Sequence, residues 1–121
     1  LRDAARFGQT LLQQGRWQGE QVIPAAVVQS ISAGGNPAKF YGAGYTTLPG
    51  GSYRSQWWVL HNENGAYSAR GIHGQAIYID PTAEMVIARF ATFPISFNAA
   101  IDPTSLPAYQ AVADYLTKKS K

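Results

Sequence analysis

Residues 55–92 constrain the fold most, because they have the pattern of three β-strands separated by short turns. The predicted strands are Ser55–His61, Gly74–Asp80 and Met85–Thr92. These segments hold aromatic and β-branched residues, which favour sheets. The five residues 80–84 suit a hairpin turn, and residues 62–65 form a second turn signal. The sequence therefore predicts an antiparallel sheet of at least three strands.

Helices are predicted on both sides of these strands. Apolar residues recur at helical spacing in Leu1–Gly15, and Gly15 is a suitable stop. A short helix is predicted over Pro24–Ile31, and a last helix over Ser105–Lys118, capped by Ser105 or Thr104. The expected buried faces are Leu1, Ala4, Ala5, Gly8, Leu11 and Leu12 in the first helix and Leu106, Tyr109, Val112, Ala113 and Leu116 in the last.

The glycine-rich stretch 33–53 predicts no regular element. Residues 1–121 are thus interpreted as a single α+β domain, an antiparallel sheet flanked by N- and C-terminal helices. Because the apolar pattern is already running at residue 1 with no capping residue before it, we expect this domain to be cut from a longer chain.

Composition excludes several classes of function. Hydrophobic residues make up 45% of the chain and charged residues 14%, which is typical of a globular protein with much covered surface. The net charge is +3, but Lys118, Lys119 and Lys121 supply three of the ten basic residues and the others are scattered. We therefore expect no nucleic-acid partner. No apolar run approaches the roughly 20 residues of a membrane span, and the absence of cysteine leaves the cellular compartment open.

Isolated polar residues predict little chemistry. His61 and His73 are the only histidines, and neither has a carboxylate at ligand spacing, so no metal site is predicted. Asp80 and Glu84 are interpreted as solvated turn residues. Trp57 and Trp58 must point to opposite faces of a strand, so only one can enter the main core. The other needs cover from the glycine-rich loop or from a ligand.

The segment Ala69–Gln75 holds two glycines around an Ile-His pair, directly ahead of Tyr78-Ile79-Asp80-Pro81. Glycines at the start of a strand allow another molecule, such as a substrate carbonyl, to approach the backbone closely. The same glycines could instead relieve a bulge in the strand. Composition alone does not decide between these two interpretations.

The run from Gly65 to Phe90 resembles the C-terminal strands of the serine β-lactamase superfamily, and most closely its branch of 6-aminohexanoate-dimer hydrolases and class C-like esterases. In that branch a Gly-Ile-His-Gly-Gln-type stretch, here residues 71–75, replaces the Lys-Thr-Gly motif of true β-lactamases. The similarity extends to Gln56-Trp57-Trp58, to the Leu1–Gly15 helix and to the last helix. It implies a partial β-lactamase/transpeptidase-like fold and the C-terminal segment of a larger α+β hydrolase.

The resemblance also implies an acyl-transfer reaction on an amide or ester, without a cofactor. The backbone N–H of Ile72 would be one of two oxyanion donors, and Trp58 would form a wall of the substrate site. Ala69 and Arg70 stand where the Lys-Thr pair would be, with Gly71 beside them, and His73 would orient the turn. The residues expected to form the site are thus Trp58, Arg70, Gly71, Ile72 and His73.

Two motifs of the family are missing. No serine is followed by lysine three residues on, and no tyrosine by asparagine two residues on. The chain alone is therefore expected to be inactive, as a hydrolase segment without its nucleophile. The alternatives are a non-catalytic binding module derived from the same fold and a processed enzyme whose N-terminal half is a separate chain. Without the rest of the sheet, we expect self-association or binding to the missing N-terminal part.

Overall fold

The computed structural model describes residues 1–119; Lys121 of the predicted lysine tail lies outside the described residues. The helices are α1 (Arg2–Leu12), α2 (Ala25–Ala33), α3 (Pro37–Gly42) and α4 (Asp102–Lys119). The strands are β1 (Arg16–Trp17), β2 (Glu20–Gln21), β3 (Ser52–Arg54), β4 (Trp57–Val59), β5 (Tyr67–Arg70), β6 (Ala76–Asp80) and β7 (Met85–Arg89). Strands β3 to β7 form one antiparallel sheet in sequence order, and β1 and β2 form a separate small hairpin. The predicted α+β class is confirmed.

The sheet has two strands that the sequence pattern did not predict, β3 and β5. Strands β3 and β4 are joined by Ser55 and Gln56, whose φ angles of 50° and 67° place both in the left-handed region. A tight hairpin turn of this kind normally carries glycine or asparagine. Because neither is present, the residue types at 55 and 56 predict the start of a strand instead of a turn. The predicted strand Ser55–His61 is therefore wrong at both ends and shortens to β4.

Helix α3 lies within the stretch that was predicted to have no regular element. Asn36 caps it, because its Oδ1 accepts hydrogen bonds from the N–H groups of Ala38 (2.9 Å) and Lys39 (3.2 Å), and Pro37 follows as the first helical residue. This Asn-Pro pair is an ordinary helix start that the surrounding glycines obscured.

The two long helices largely follow their predicted faces. In α1, Gly8 and Leu11 are buried, but Leu1 is 64% exposed. Gly15 does end this segment, with φ of 84° and its N–H on the carbonyl of Thr10.

Helix α4 begins at Asp102, three residues before its predicted start, so neither Ser105 nor Thr104 is its cap. Ala113 is fully buried, whereas Val112 is 45% exposed, because position 112 falls beside the stripe of residues 106, 109, 113 and 116.

The sheet is covered on both faces. Helices α1 and α2 cover one face through Leu11, Val28 and Ile31, which pack against Trp57 and Tyr67. Helix α4 covers the other face, where Ala113 packs with Tyr78 and Met85. Strands β6 and β7 thus contribute alternate residues to two hydrophobic clusters, one on each face of the sheet. Within residues 1–119, no helix is both long and apolar enough to cross a membrane.

Helix α1 approaches β6 and β7 closely at Gly8. A Cβ atom at this position would lie 2.5 Å from Cγ1 of Val86 and 3.0 Å from Cγ2 of Ile77, both on stiff β-branched side chains. Glycine costs a helix about 1 kcal/mol relative to alanine. It is tolerated here because it lets the helix lie directly on the sheet.

We predict that Gly8→Val destabilises the protein by more than about 2 kcal/mol, because the added carbons overpack this contact. The matched control is Gly42→Val in α3, where a Cβ meets nothing within 4 Å. It should change the free energy of unfolding by less than about 0.5 kcal/mol. Urea denaturation measures both, and equal effects at the two glycines would contradict the close packing of α1.

A second prediction concerns alkaline pH. Burial raises the pKa of Tyr67 to about 12, and burial together with the Asp80 carboxylate raises the pKa of Tyr78 to about 12. An unfolded tyrosine has a pKa of about 10, so ionisation favours the unfolded chain. The stabilisation is complete below pH about 10 and is lost as the pH rises towards 12.

The free energy of unfolding should therefore decline between pH 10 and 12. Tyr67→Phe should make this decline shallower, because one of the two ionisations is removed. Tyr115→Phe is the control, because Tyr115 is 56% exposed, and it should leave the slope unchanged. Parallel pH profiles for Tyr67→Phe and the parent protein would refute this assignment.

Candidate active site

Four of the five predicted site residues meet at the end of β5. Two adjoining depressions of about 380 and 420 Å³ open there, and both are lined by Trp58, Arg70 and Gly71. We call them together the β5 cleft. Ile72 lines the smaller depression, and its side chain is 66% exposed. His73 lines neither depression.

The predicted alternation of the two tryptophans is confirmed. Trp57 is 8% exposed in the core, where its ring lies 5.4 Å from that of Tyr67. Trp58 faces the opposite side of the sheet, with its ring 4.7 Å from Tyr53 and 6.0 Å from the Arg70 guanidinium. Thr46 and Thr47 of the glycine-rich loop share its depression. Trp58 therefore has partial cover from that loop and still forms a wall of the cleft.

The turn between β5 and β6 has an unusual backbone. Gly71 is extended (φ −110°, ψ 171°), and a short 3₁₀ turn, Ile72–Gly74, follows it. His73 has a left-handed conformation (φ 56°, ψ 23°), which is uncommon for a residue other than glycine. At Gly74, a Cβ atom would lie 2.2 Å from the ring of Phe93. The second glycine of the motif is thus required by close packing.

Of the four amides of this turn, residues 71–74, hydrogen bonds engage those of Gly71 and His73. The N–H of Gly74 has no acceptor within residues 1–119, but Gly74 is buried and lines neither depression. The N–H of Gly71 donates to the carbonyl of Gln75 (2.9 Å), and that of His73 donates to the carbonyl of Ser96 (3.3 Å). His73 is also bound to Phe93, through its own carbonyl (3.1 Å) and through Nδ1 (2.8 Å). The N–H of Ile72 has no acceptor within residues 1–119. This N–H therefore makes no hydrogen bond in a strand ladder or within the turn, and it remains available to a ligand.

A buried ion pair lies beneath the cleft. Arg70 donates to Asp102, the first residue of α4, and the two side chains are 9% and 6% exposed. The hydroxyl of Thr47 donates to the second carboxylate oxygen of Asp102 (2.6 Å). The charge of Arg70 is thus neutralised inside the protein, and Arg70 joins β5, α4 and the glycine-rich loop.

Sequence reasoning did not find Asp102, Thr47 or Asn98, whose side-chain amide contacts the carbonyl of Gly71 at 3.1 Å. Asp102 lies 32 residues from Arg70 and 55 from Thr47. No motif connects residues at such separations. The one local signal was the Asp-Pro pair at the start of the last helix, where an acidic residue suits the helix dipole.

Two other groups of residues lack the properties of a catalytic centre. Ser52 Oγ lies 2.7 Å from Nε2 of His61, but Ser52 is fully buried and also accepts a hydrogen bond from the N–H of Gly35. This pair fastens β3 to the end of α2 and presents no nucleophile to a substrate. Within residues 1–119, no three His, Cys, Asp or Glu side chains are grouped closely enough to hold a metal ion.

The buried tyrosines are also unsuited to proton transfer at neutral pH. The pKa of Tyr109 is raised by burial, against the lowering effect of Arg89 and Arg70. The pKa values of Tyr67 and Tyr78 are raised in the same direction. A general base needs a pKa near the working pH, so these three residues are structural.

The chain is similar to known proteins in both sequence and fold. The chain is 39% identical over 94 residues to the 6-aminohexanoate-dimer hydrolase of Paenarthrobacter ureafaciens, a match that covers 77% of the chain and 24% of that protein. A solved structure from Bacillus anthracis, described as a 6-aminohexanoate-dimer hydrolase, superimposes with a TM-score of 0.80 at 37% identity. That match covers 97% of the chain and 29% of that structure.

A second curated relative has a different name. The D-alanine–D-alanine ligase of Prochlorococcus marinus is 31% identical over 135 aligned positions, covering 90% of the chain and 37% of that protein. No family model matches the chain. The chain thus spans between about a quarter and about two fifths of the length of the proteins it resembles.

Fold and sequence together define the class as α+β hydrolases. Within that class, the chain belongs to the 6-aminohexanoate-dimer hydrolase branch and corresponds to a C-terminal segment of such a protein. The resemblance to that branch is therefore confirmed.

The contribution of the buried Arg70–Asp102 ion pair to stability can be tested by substitution. Asp102→Ala should cost about 3–5 kcal/mol of stability, because it leaves the Arg70 guanidinium buried without a counter-charge. The double variant Arg70→Met/Asp102→Leu should recover most of this loss, since apolar replacements of both partners are often neutral. Thermal or urea denaturation of the three proteins measures the effect. A double variant no more stable than Asp102→Ala would contradict the charge-based explanation.

Proposed function

We propose that this segment supplies an oxyanion donor and a substrate wall to a serine hydrolase that cleaves amide or ester bonds through an acyl-enzyme. The donor is the N–H of Ile72, and the wall is formed by Trp58 with Arg70 and Gly71. The nucleophile and its base belong to residues outside these 121. The observation that carries the proposal is the N–H of Ile72, which has no acceptor within the described residues and belongs to a residue that lines the cleft.

The direction of this N–H supports the proposal. Gly71 is extended, so its N–H and its carbonyl lie on one side of the chain, where they contact Gln75 and Asn98. In extended backbone, the N–H of the next residue faces the opposite side. On that side of β5 lies β4, whose pairing with β5 already ends at Trp58 and Ser68. The Ile72 N–H therefore faces the space left beyond the end of β4.

Each of the other expected residues has a distinct part in this proposal. Trp58 limits the cleft with an aromatic face that suits the apolar part of a substrate. Arg70 acts through its ion pair with Asp102, which holds the wall in place. Gly71 keeps the backbone uncovered beside the donor, and His73 anchors the turn to Phe93. Charged substrate groups would find no free cation at Arg70.

The partners follow from the same proposal. The substrate is a small amide or ester, and the nucleophile comes from the part of the hydrolase that precedes this segment. Strands β3 and β7 have one unpaired edge each within the sheet of the described residues, and such edges favour pairing with further chain. The isolated segment is accordingly proposed to self-associate or to bind the missing part, and to be inactive alone.

A single substitution tests the donor directly. Ile72→Pro removes the N–H without breaking any hydrogen bond within the described residues. The extended Gly71 is a favourable residue before proline, and Ile72 is the first residue of a 3₁₀ turn, so the fold should accept the change. In the complete protein that contains this segment, we predict that kcat/KM for an ester substrate falls about 10²–10³-fold.

The matched control is Ile72→Ala, which keeps the N–H and removes only an exposed side chain. Its kcat/KM should stay within about threefold of the parent value. Labelling of the complete protein by a fluorophosphonate probe should show a reactive serine, and the isolated segment should remain unlabelled. The proposal fails if Ile72→Pro is as active as Ile72→Ala. A complete protein without a reactive serine would instead favour a binding module derived from this fold.

A further inference from the structure

We infer that Asn98 is a positioning residue for the oxyanion donor, because it holds the same peptide unit whose N–H belongs to Ile72. This inference rests on the proposed function. The side-chain amide of Asn98 lies 3.1 Å from the carbonyl oxygen of Gly71, to which it donates a hydrogen bond. That oxygen and the Ile72 N–H are the two ends of one planar peptide group.

A trans peptide has its C=O and N–H bonds pointing in opposite directions, and the described residues contain no cis peptide bond. A donor that fixes the carbonyl therefore also fixes the direction of the N–H. Rotation of this peptide about its flanking bonds would turn the donor away from the cleft. Glycine at position 71 makes such rotation easy, so an external restraint is needed there.

The hydrogen bond from Asn98 also strengthens the donor. A peptide group whose carbonyl accepts a hydrogen bond is polarised, which strengthens the hydrogen bond that its N–H donates by about 10–30%. The effect is useful for an oxyanion, because the negative charge develops only as the carbonyl is attacked. Asn98 thus affects the transition state more than the bound substrate.

Asn98 is itself well anchored. It begins a second 3₁₀ turn, Asn98–Ala100, and its carbonyl accepts a hydrogen bond from the N–H of Ile101 (2.9 Å). The chain then continues directly into Asp102 and its buried ion pair with Arg70. Asn98 therefore connects the rigid start of α4 to the donor peptide.

Residues 91–96, which precede Asn98, are also hydrogen-bonded to the same turn. Gln75 donates to the carbonyl of Ala91 and accepts from its N–H (3.1 Å). Phe93 and Ser96 bind His73, as described above. Among these hydrogen bonds between residues 91–98 and the turn, the bond from Asn98 is the one made to the Gly71–Ile72 peptide. The role of Asn98 therefore differs from that of residues that only stabilise the loop.

The test uses the complete protein with Asn98→Leu, which keeps the size of the side chain and removes its donor. We expect kcat to fall roughly 10-fold, which is less than the loss of the oxyanion donor itself, while KM stays within about twofold. Binding of a boronic acid that mimics the tetrahedral intermediate should weaken by the same factor as kcat/KM. Asn98→Ala, which adds no atoms, serves as a second variant if leucine prevents folding.

The matched control is Asn64→Leu. Asn64 lies in the turn between β4 and β5, and its side chain also donates a hydrogen bond, to Asp80 at the end of β6 (2.8 Å). It should lower stability without changing kcat or the boronic acid affinity.

The outcomes distinguish a failure of the positioning role of Asn98 from a failure of the proposed function. If Ile72→Pro lowers the rate but both Asn98 variants keep the parent kcat, the positioning role is overturned and the proposed function stands. If Ile72→Pro has no effect, the proposed function itself fails. A fall in stability with unchanged kinetics in the Asn98 variants would also overturn the inference, because it would show a purely structural hydrogen bond.

Discussion

The buried pair of Arg70 and Asp102 is the interaction on which the rest of the cleft depends. It joins the end of β5 to the first residue of α4, and Thr47 adds the glycine-rich loop. A buried ion pair gains little net stability when both charges must leave water, but the loss of one partner is costly. Such a pair therefore acts mainly as a geometric constraint. It brings together three segments that lie far apart in the sequence.

Next to the Arg70–Asp102 pair, the turn that follows β5 has an uncommon backbone conformation. His73 has a left-handed backbone, and its amide, carbonyl and ring each have a partner in residues 93–96. Such conformations persist only where the surrounding structure enforces them, and they concentrate at functional sites. The result here is an unbonded N–H at Ile72, next to an open cleft. This is the group that we propose as one donor of an oxyanion site.

Accessibility, more than proximity, separates this turn from other polar groups in the protein. Ser52 and His61 are close enough to suggest a nucleophile and its base, yet Ser52 has no exposed surface and a second partner in Gly35. Tyr67 and Tyr78 are also buried, and burial moves their pKa values away from neutrality. These groups stabilise the core. The chemistry that the segment can offer lies in the backbone at Ile72.

The sequence by itself determined the α+β class, the strands on either side of residues 80–84, the amphipathic faces of the terminal helices and the family, because each of these depends on local periodicity or on a contiguous motif. Only the tertiary structure decided that Ser55 and Gln56 form a turn, since their left-handed conformations carry no signal in residue type. It also decided that Arg70 is neutralised by Asp102 and that Asn98 holds the Gly71 carbonyl. These contacts join residues 27 to 32 positions apart. Their formation depends on how β5, α4 and the connecting loop pack, which local pattern does not encode.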